Sequence, residues 1–234
     1  MTEEQAYKIL SVFAYLLILS RGILLLTTLN VFRQSRAIKA LFWYALIAFI
    51  IAIGEMTFIY LVKNYTEYFM PFLKRFEISN TFFISPLYYI NELVFISLFF
   101  YQILKDKYPQ IFLIGCLLAI LEIINTLFFE GYKEAQFWGS LVYILNNIIL
   151  SILYIYNFNT QKLNQIPTKH SYYLIALAIL IFYLLSLFIY LLTKFIFDDF
   201  TIIYYQLSIF RMSVQFLGYL VMSFAILKYS NRLT

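Results

Sequence analysis

Five ionisable residues stand inside otherwise apolar runs of this chain: Arg21, Glu55, Glu92, Glu122 and Arg211. A charged side chain at the centre of a membrane helix costs about 2.5–3.5 kcal/mol on insertion scales, so such residues face protein or ligand rather than lipid. Asn125, Asn146 and Gln215 add hydrogen-bonding groups at similar depths, with Asn91, Asn147 and Gln206 close by. Three carboxylates against two guanidiniums leave one glutamate short of a full ionic partner. A desolvated carboxyl without a cation is a group that can exchange a proton. That chemistry suits a proton-coupled carrier, a pH-responsive sensor, or a pocket for a small polar or cationic ligand. The plainer alternative is that the charges only hold helices in register.

Arg211 is the expected hub. Tyr204, Ser208, Arg211, Gln215, Gly218 and Met222 recur at steps of three or four, which places them on one helical face. Counting about 1.5 Å per residue along each helix puts Glu122 closest to Arg211 in depth, then Glu55 or Glu92. Glu122 is therefore its expected partner. Further stripes of small and polar residues appear elsewhere: Ser85, Tyr88, Glu92 and Phe99; Gly115, Ala119, Glu122 and Thr126; Gly139, Tyr143, Asn146 and Tyr154. Membrane helices pack closely and share hydrogen bonds along such stripes.

The elements that must position these groups are all helical. Of 234 residues, 63% are hydrophobic and only 12% charged, against about 25% charged in an ordinary soluble domain. Alternating strand patterns of the barrel type are absent. Seven runs, at 7–29, 40–62, 81–104, 109–129, 136–158, 171–194 and 201–228, can each cross a hydrocarbon core that takes about 20 helical residues. The chain is expected to be all-α, a single seven-helix transmembrane domain over 1–234, with consecutive helices as antiparallel neighbours. Pro86 is expected to bend the outer end of the third helix. The acidic start MTEEQAYK does not suit a cleaved signal peptide, so the first helix is expected to be retained. Between the second and third runs, Tyr68, Phe69, Phe72, Leu73 and Phe76 can share one face. That segment is expected to form either a short interfacial helix or a lid over an outward-facing cavity.

Charge sets the expected orientation. Arg33, Arg36, Lys39, Lys105, Lys107, Lys162, Lys169, Lys228 and Arg232 fall on one side of the membrane with a single acid, Asp106. On the other side, Lys8, Lys63, Lys74, Arg75, Lys133 and Lys194 are outnumbered by Glu3, Glu4, Glu67, Glu77, Glu130, Glu134, Asp198 and Asp199. The basic side is the cytoplasmic one, which puts the N-terminus outside and the C-terminus in the cytoplasm. The net charge of +5 then follows from topology and implies no nucleic-acid partner.

Several chemistries do not fit. A retinal Schiff base wants a lysine near the middle of the last helix, where this chain has Arg211. Bis-histidine haem and Ser–His proteolysis are not supported by the single His170, and paired buried aspartates are absent. One cysteine, Cys116, gives neither a disulfide framework nor a thiolate metal site. No cofactor, metal or catalytic constellation is expected, and the chain is read as a non-enzyme. The many tyrosines and phenylalanines are expected at the lipid face and the interfacial belts. In architecture, the Gly54-Glu55 pair inside the second helix and Pro86 opening the third resemble the seven-helix sensing regions that precede some bacterial histidine kinases. The leading expectation is a cytoplasmic-membrane sensor or receptor-like module that binds a small ligand and signals to a cytoplasmic or membrane protein partner. A small proton-coupled transporter and a structural subunit of a membrane complex are the alternatives.

Overall fold

The computed structural model describes residues 3–78, 81–133, 136–160, 167–196 and 201–230. The apolar runs become α1 (Glu3–Val31), α2 (Arg36–Asn64), α6 (Ile111–Phe128), α7 (Phe137–Thr160), α8 (Pro167–Ile196) and α9 (Thr201–Ser230). The third span is built in pieces: a 3₁₀ turn at Phe82–Ile84, α4 (Ser85–Asn91), a π-turn at Glu92–Ile96, and α5 (Ser97–Leu104). Seven helical segments are thus long and apolar enough to cross a membrane, the architecture of a multi-pass integral membrane protein. The eighth helix is short: α3 (Thr66–Phe76).

Contacts between the links gather them at two places: Tyr132 and Lys133 after α6 meet Phe76 and Glu77 at the end of α3, while Ser35 before α2 meets Tyr172 on α8 and Lys107 after α5 meets Asn157 on α7. Ser35 opens α2 by accepting from the backbone N–H groups of Ala37 at 3.2 Å and Ile38 at 3.5 Å. Its hydroxyl also lies 2.8 Å from that of Tyr172 on α8. The buried face of α2 includes Ala37, Ala40, Ala45, Ala48 and Ala52, small residues that let neighbouring backbones approach.

Six of the spans form a closed ring: α1, α2, the third span, α7, α8 and α9, with α9 packed back along α1. The fourth span, α6, stands outside the ring, against the third span and α7. Its buried residues are Ile111, Gly115, Ala119 and Glu122, while Leu113, Leu117, Leu121 and Leu127 are each more than half exposed. A Cβ at Gly115 would run into the Ser97 side chain and the Leu93 carbonyl. Glycine is what lets α6 lie this close to the π-turn.

Pro86 sits in the first turn of α4, where its missing N–H interrupts nothing. Besides the 3₁₀ turn that precedes it, the third span is irregular at Glu92–Ile96, six residues beyond the proline.

The segment after α2 is an amphipathic helix with an open apolar face, Tyr68, Phe72 and Phe76 all being exposed. It is tied down locally. Phe69 meets Phe58 of α2 edge to face, Tyr132 donates to the Phe76 carbonyl at 3.5 Å, and Lys133 pairs with Glu77. Glu77 closes α3 in the left-handed conformation, φ 53°.

Candidate functional site

The ring encloses a cavity of about 340 Å³ on the side where α1 begins. Arg21 of α1, Glu92 of the third span, and Arg211 and Gln215 of α9 all line it. Four of the residues singled out by sequence thus meet at one place. Tyrosine and serine hydroxyls make up much of the remaining wall. Ser140 and Tyr89 share a hydrogen bond of 2.8 Å, and the Tyr89 and Tyr143 rings stack with centroids 4.7 Å apart.

At the inner limit of the cavity Glu92 is held by three donors. Tyr44 of α2 donates to Oε1 at 2.9 Å, while Tyr183 of α8 and Asn147 of α7 donate to Oε2 at 2.5 and 3.4 Å. Asn91 fixes the same level by donating to the Tyr44 carbonyl at 3.1 Å. A hydroxyl carries one proton. Since that of Tyr44 goes to Glu92, its 2.9 Å contact with Tyr219 must run from Tyr219 to Tyr44. Gln215 donates in turn to Tyr219 at 3.3 Å. A directed chain therefore runs from Gln215 through Tyr219 and Tyr44 to Glu92, spanning α9, α2 and the third span.

The two arginines are arranged differently. The Arg21 guanidinium lies over the rings of Tyr88 and Tyr219, 5.1 and 5.9 Å from their centroids, a cation–π setting. Its Nε is buried without a hydrogen-bond partner. Arg211 faces the cavity. Among the described residues, no carboxylate lies within 4 Å of either guanidinium; the ion pair found there is Lys133–Glu77, at the surface.

The expected Arg211–Glu122 pair is therefore not formed, and the reason is architectural. Glu122 sits on α6, outside the ring, whereas α9 closes the ring against α1 and α8. Glu122 instead accepts from Thr126 at 3.3 Å and presses against Gly139, where a Cβ would meet its carboxylate. Asn125 turns to Glu130, which caps α7 by accepting from the backbone N–H of Trp138 at 2.7 Å. Glu55 accepts from Tyr88 at 3.2 Å and so touches the cavity wall from behind. Asn146 donates to Ser97 at 3.2 Å and to Asn147 at 3.3 Å, one step from Glu92.

Tyr44, Tyr183 and Tyr219 are the residues of this layer that the sequence reading assigned elsewhere. Each is at most 4% exposed, in the core and not in a belt. A signal was present. Tyr44 continues a face with Ala37, Leu41 and Ala48, and Tyr183 one with Ala176, Ile179 and Ser186. A tyrosine in the middle of a small-residue stripe belongs between helices.

At the other end of the bundle a groove of about 550 Å³ is lined by Ser35, Arg36, Lys105, Lys107, Asn157 and Tyr172. Lys107 donates to Asn157 there at 2.7 Å. The segment after α2, expected as an interfacial helix or a lid, supplies none of the cavity's lining residues. Among the described residues, no three His, Cys, Asp or Glu side chains gather where they could hold a metal ion. The chain matches no protein-family model, no curated protein and no solved structure.

Proposed function

We propose that this is a non-catalytic sensor of the cytoplasmic membrane, which binds a small polar solute in the ring cavity and reports its occupancy to a protein partner. The observation that carries the reading is the cavity itself. Its volume of about 340 Å³ falls within the range of about 300–1,000 Å³ common for ligand sites, and its wall is charged and hydroxylated where a merely structural core would be filled and apolar. The basic loops support an orientation with the N-terminus outside, so that the cavity faces the exterior and the Arg36–Lys105–Lys107 groove faces the cytoplasm. The groove is the natural place for an acidic partner segment. Glu92, bonded to α2, α7 and α8 at once, couples the two ends.

A second reading, a small proton-coupled transporter, is favoured by one observation: a cavity and a groove lie on either side of a single hydrogen-bonded layer.

Cysteine labelling tests both. In a Cys116→Ala background, an impermeant thiol reagent applied outside should label Tyr68→Cys and the cavity position Ser208→Cys but not Asn159→Cys. Labelling of Asn159→Cys alone from outside would reverse the orientation. Labelling of Ser208→Cys from either face would favour the transporter. If that position reacts from neither face, the cavity is closed to solutes and the binding reading fails.

A further inference from the structure

We infer that the ligand of this cavity is an oxyanion, a small solute bearing a carboxylate or phosphate group, received by Arg21 and Arg211. The inference rests on the cavity being the binding site proposed above and goes on to name what fills it.

Charge is the first ground. Two guanidiniums line the cavity against one carboxylate, Glu92, and that carboxylate is already engaged by Tyr44, Tyr183 and Asn147. Glu55 is taken by Tyr88, and Glu122 lies outside the ring. A guanidinium at membrane depth favours an anion close by, and the described residues put no carboxylate within 4 Å of either arginine.

Hydrogen bonding is the second and separate ground. Arginine has five N–H donors and no acceptor. The Arg21 Nε is buried and unpartnered, and so is the hydroxyl of Ser186, which is 2% exposed on the cavity wall. The Ser186 hydroxyl can donate or accept, whereas the Arg21 N–H can only donate and so calls for an acceptor, which a simple cation does not supply. An oxyanion supplies acceptors in the planar arrangement that guanidinium groups match.

Size and wall chemistry limit the rest of the ligand. At ~30 Å³ per water the cavity holds the equivalent of about ten waters, which admits a small organic acid or a phosphate. The stacked Tyr89 and Tyr143 rings offer a flat apolar surface for a ring or short carbon chain.

The test uses the full chain in nanodiscs, with thermal unfolding followed as acetate, benzoate, inorganic phosphate or tetramethylammonium is titrated. An oxyanion should raise the unfolding temperature with concentration, as a ligand of the folded state must. Arg211→Gln should weaken that response by about tenfold or more in apparent affinity, and Arg211→Lys should recover part of it. Discs of phosphatidylcholine and of phosphatidylglycerol separate the two sources of the anion. A response abolished by phosphatidylglycerol assigns the site to a lipid headgroup, and one retained in both assigns it to a free solute. Stabilisation that is undiminished in Arg211→Gln would be a general salt effect and would overturn the inference. So would a response to tetramethylammonium alone, or to none of the probes. In those cases labelling of Ser208→Cys from outside would still uphold the binding cavity, so the two readings fail separately. If Arg211→Gln does not fold, protection of Ser208→Cys by the same anions gives the answer with both arginines intact, and unslowed labelling at saturating anion refutes the inference.

Discussion

At the scale of single residues, Glu92 is closely held. Three donors from three helices meet its two oxygens, two of them at Oε2. We predict that Tyr183→Phe costs about 1.5–3 kcal/mol of stability, the range for a hydrogen bond to a charged group. Glu92→Gln should cost less, about 1 kcal/mol. The amide can leave its oxygen at Tyr183 and Asn147 and turn its NH₂ to Tyr44. Tyr44 then reverses its donation towards Tyr219, whose own proton loses its acceptor. Thermal unfolding of both variants in one detergent checks the order, and a Glu92→Gln loss larger than that of Tyr183→Phe would mean that the chain of donors cannot reverse. Counting along a helix offers a relative depth for the charged residues within the spans, because rise per residue is nearly constant. It did not expose azimuth across the bundle, which decides who meets whom. Glu122 and Arg211 share a depth and stand on different sides of the third span, so the nearest match in depth was the wrong partner.

Among the elements, the third span and α6 depart most from what hydropathy alone conveys. All seven spans were legible, since an apolar run of about 20 residues has few other uses. The π-turn at Glu92–Ile96 was not, for no glycine lies within it and the nearest proline is Pro86. Such turns are frequent at functional sites, and this one begins on the residue that anchors the polar layer. Its neighbour Gly115 leaves no room for a methyl group beside the Leu93 carbonyl and the Ser97 side chain. Gly115→Ala should therefore destabilise by about 1–3 kcal/mol through overpacking, although alanine is the better helix former. A neutral or stabilising result in thermal unfolding would show that α6 can shift away freely. The surface helix α3 has its own prediction. Hydrogen bonding to Lys133, reinforced by its charge, holds the Glu77 carboxyl below its usual range. A lowered folded-state value means that the tie is fully present above the ordinary carboxylate pKa and is lost as pH falls through the depressed one. Amide exchange within Thr66–Phe76 should therefore speed up between about pH 5 and pH 3, relative to the intrinsic rate, and Glu77→Gln should remove that dependence.

For the whole molecule, the ring is completed only where its first and last helices meet. Arg21 belongs to α1, and Arg211, Gln215 and Tyr219 belong to α9, so the cavity wall and the donors from Gln215 and Tyr219 are complete only once α9 has joined α1. During synthesis this becomes a matter of time. From residue 21 to residue 211 is 190 residues, 211 − 21, and at about 5–20 residues per second the ribosome takes roughly 10 to 40 s to cover them. For that interval the Arg21 guanidinium waits in the membrane without Tyr219 beneath it, beside helices that cannot yet close. A chain cut short between α4 and α9 keeps only the Tyr88 half of that shelter. The last helix thus completes the shelter of a charge that entered the membrane with the first.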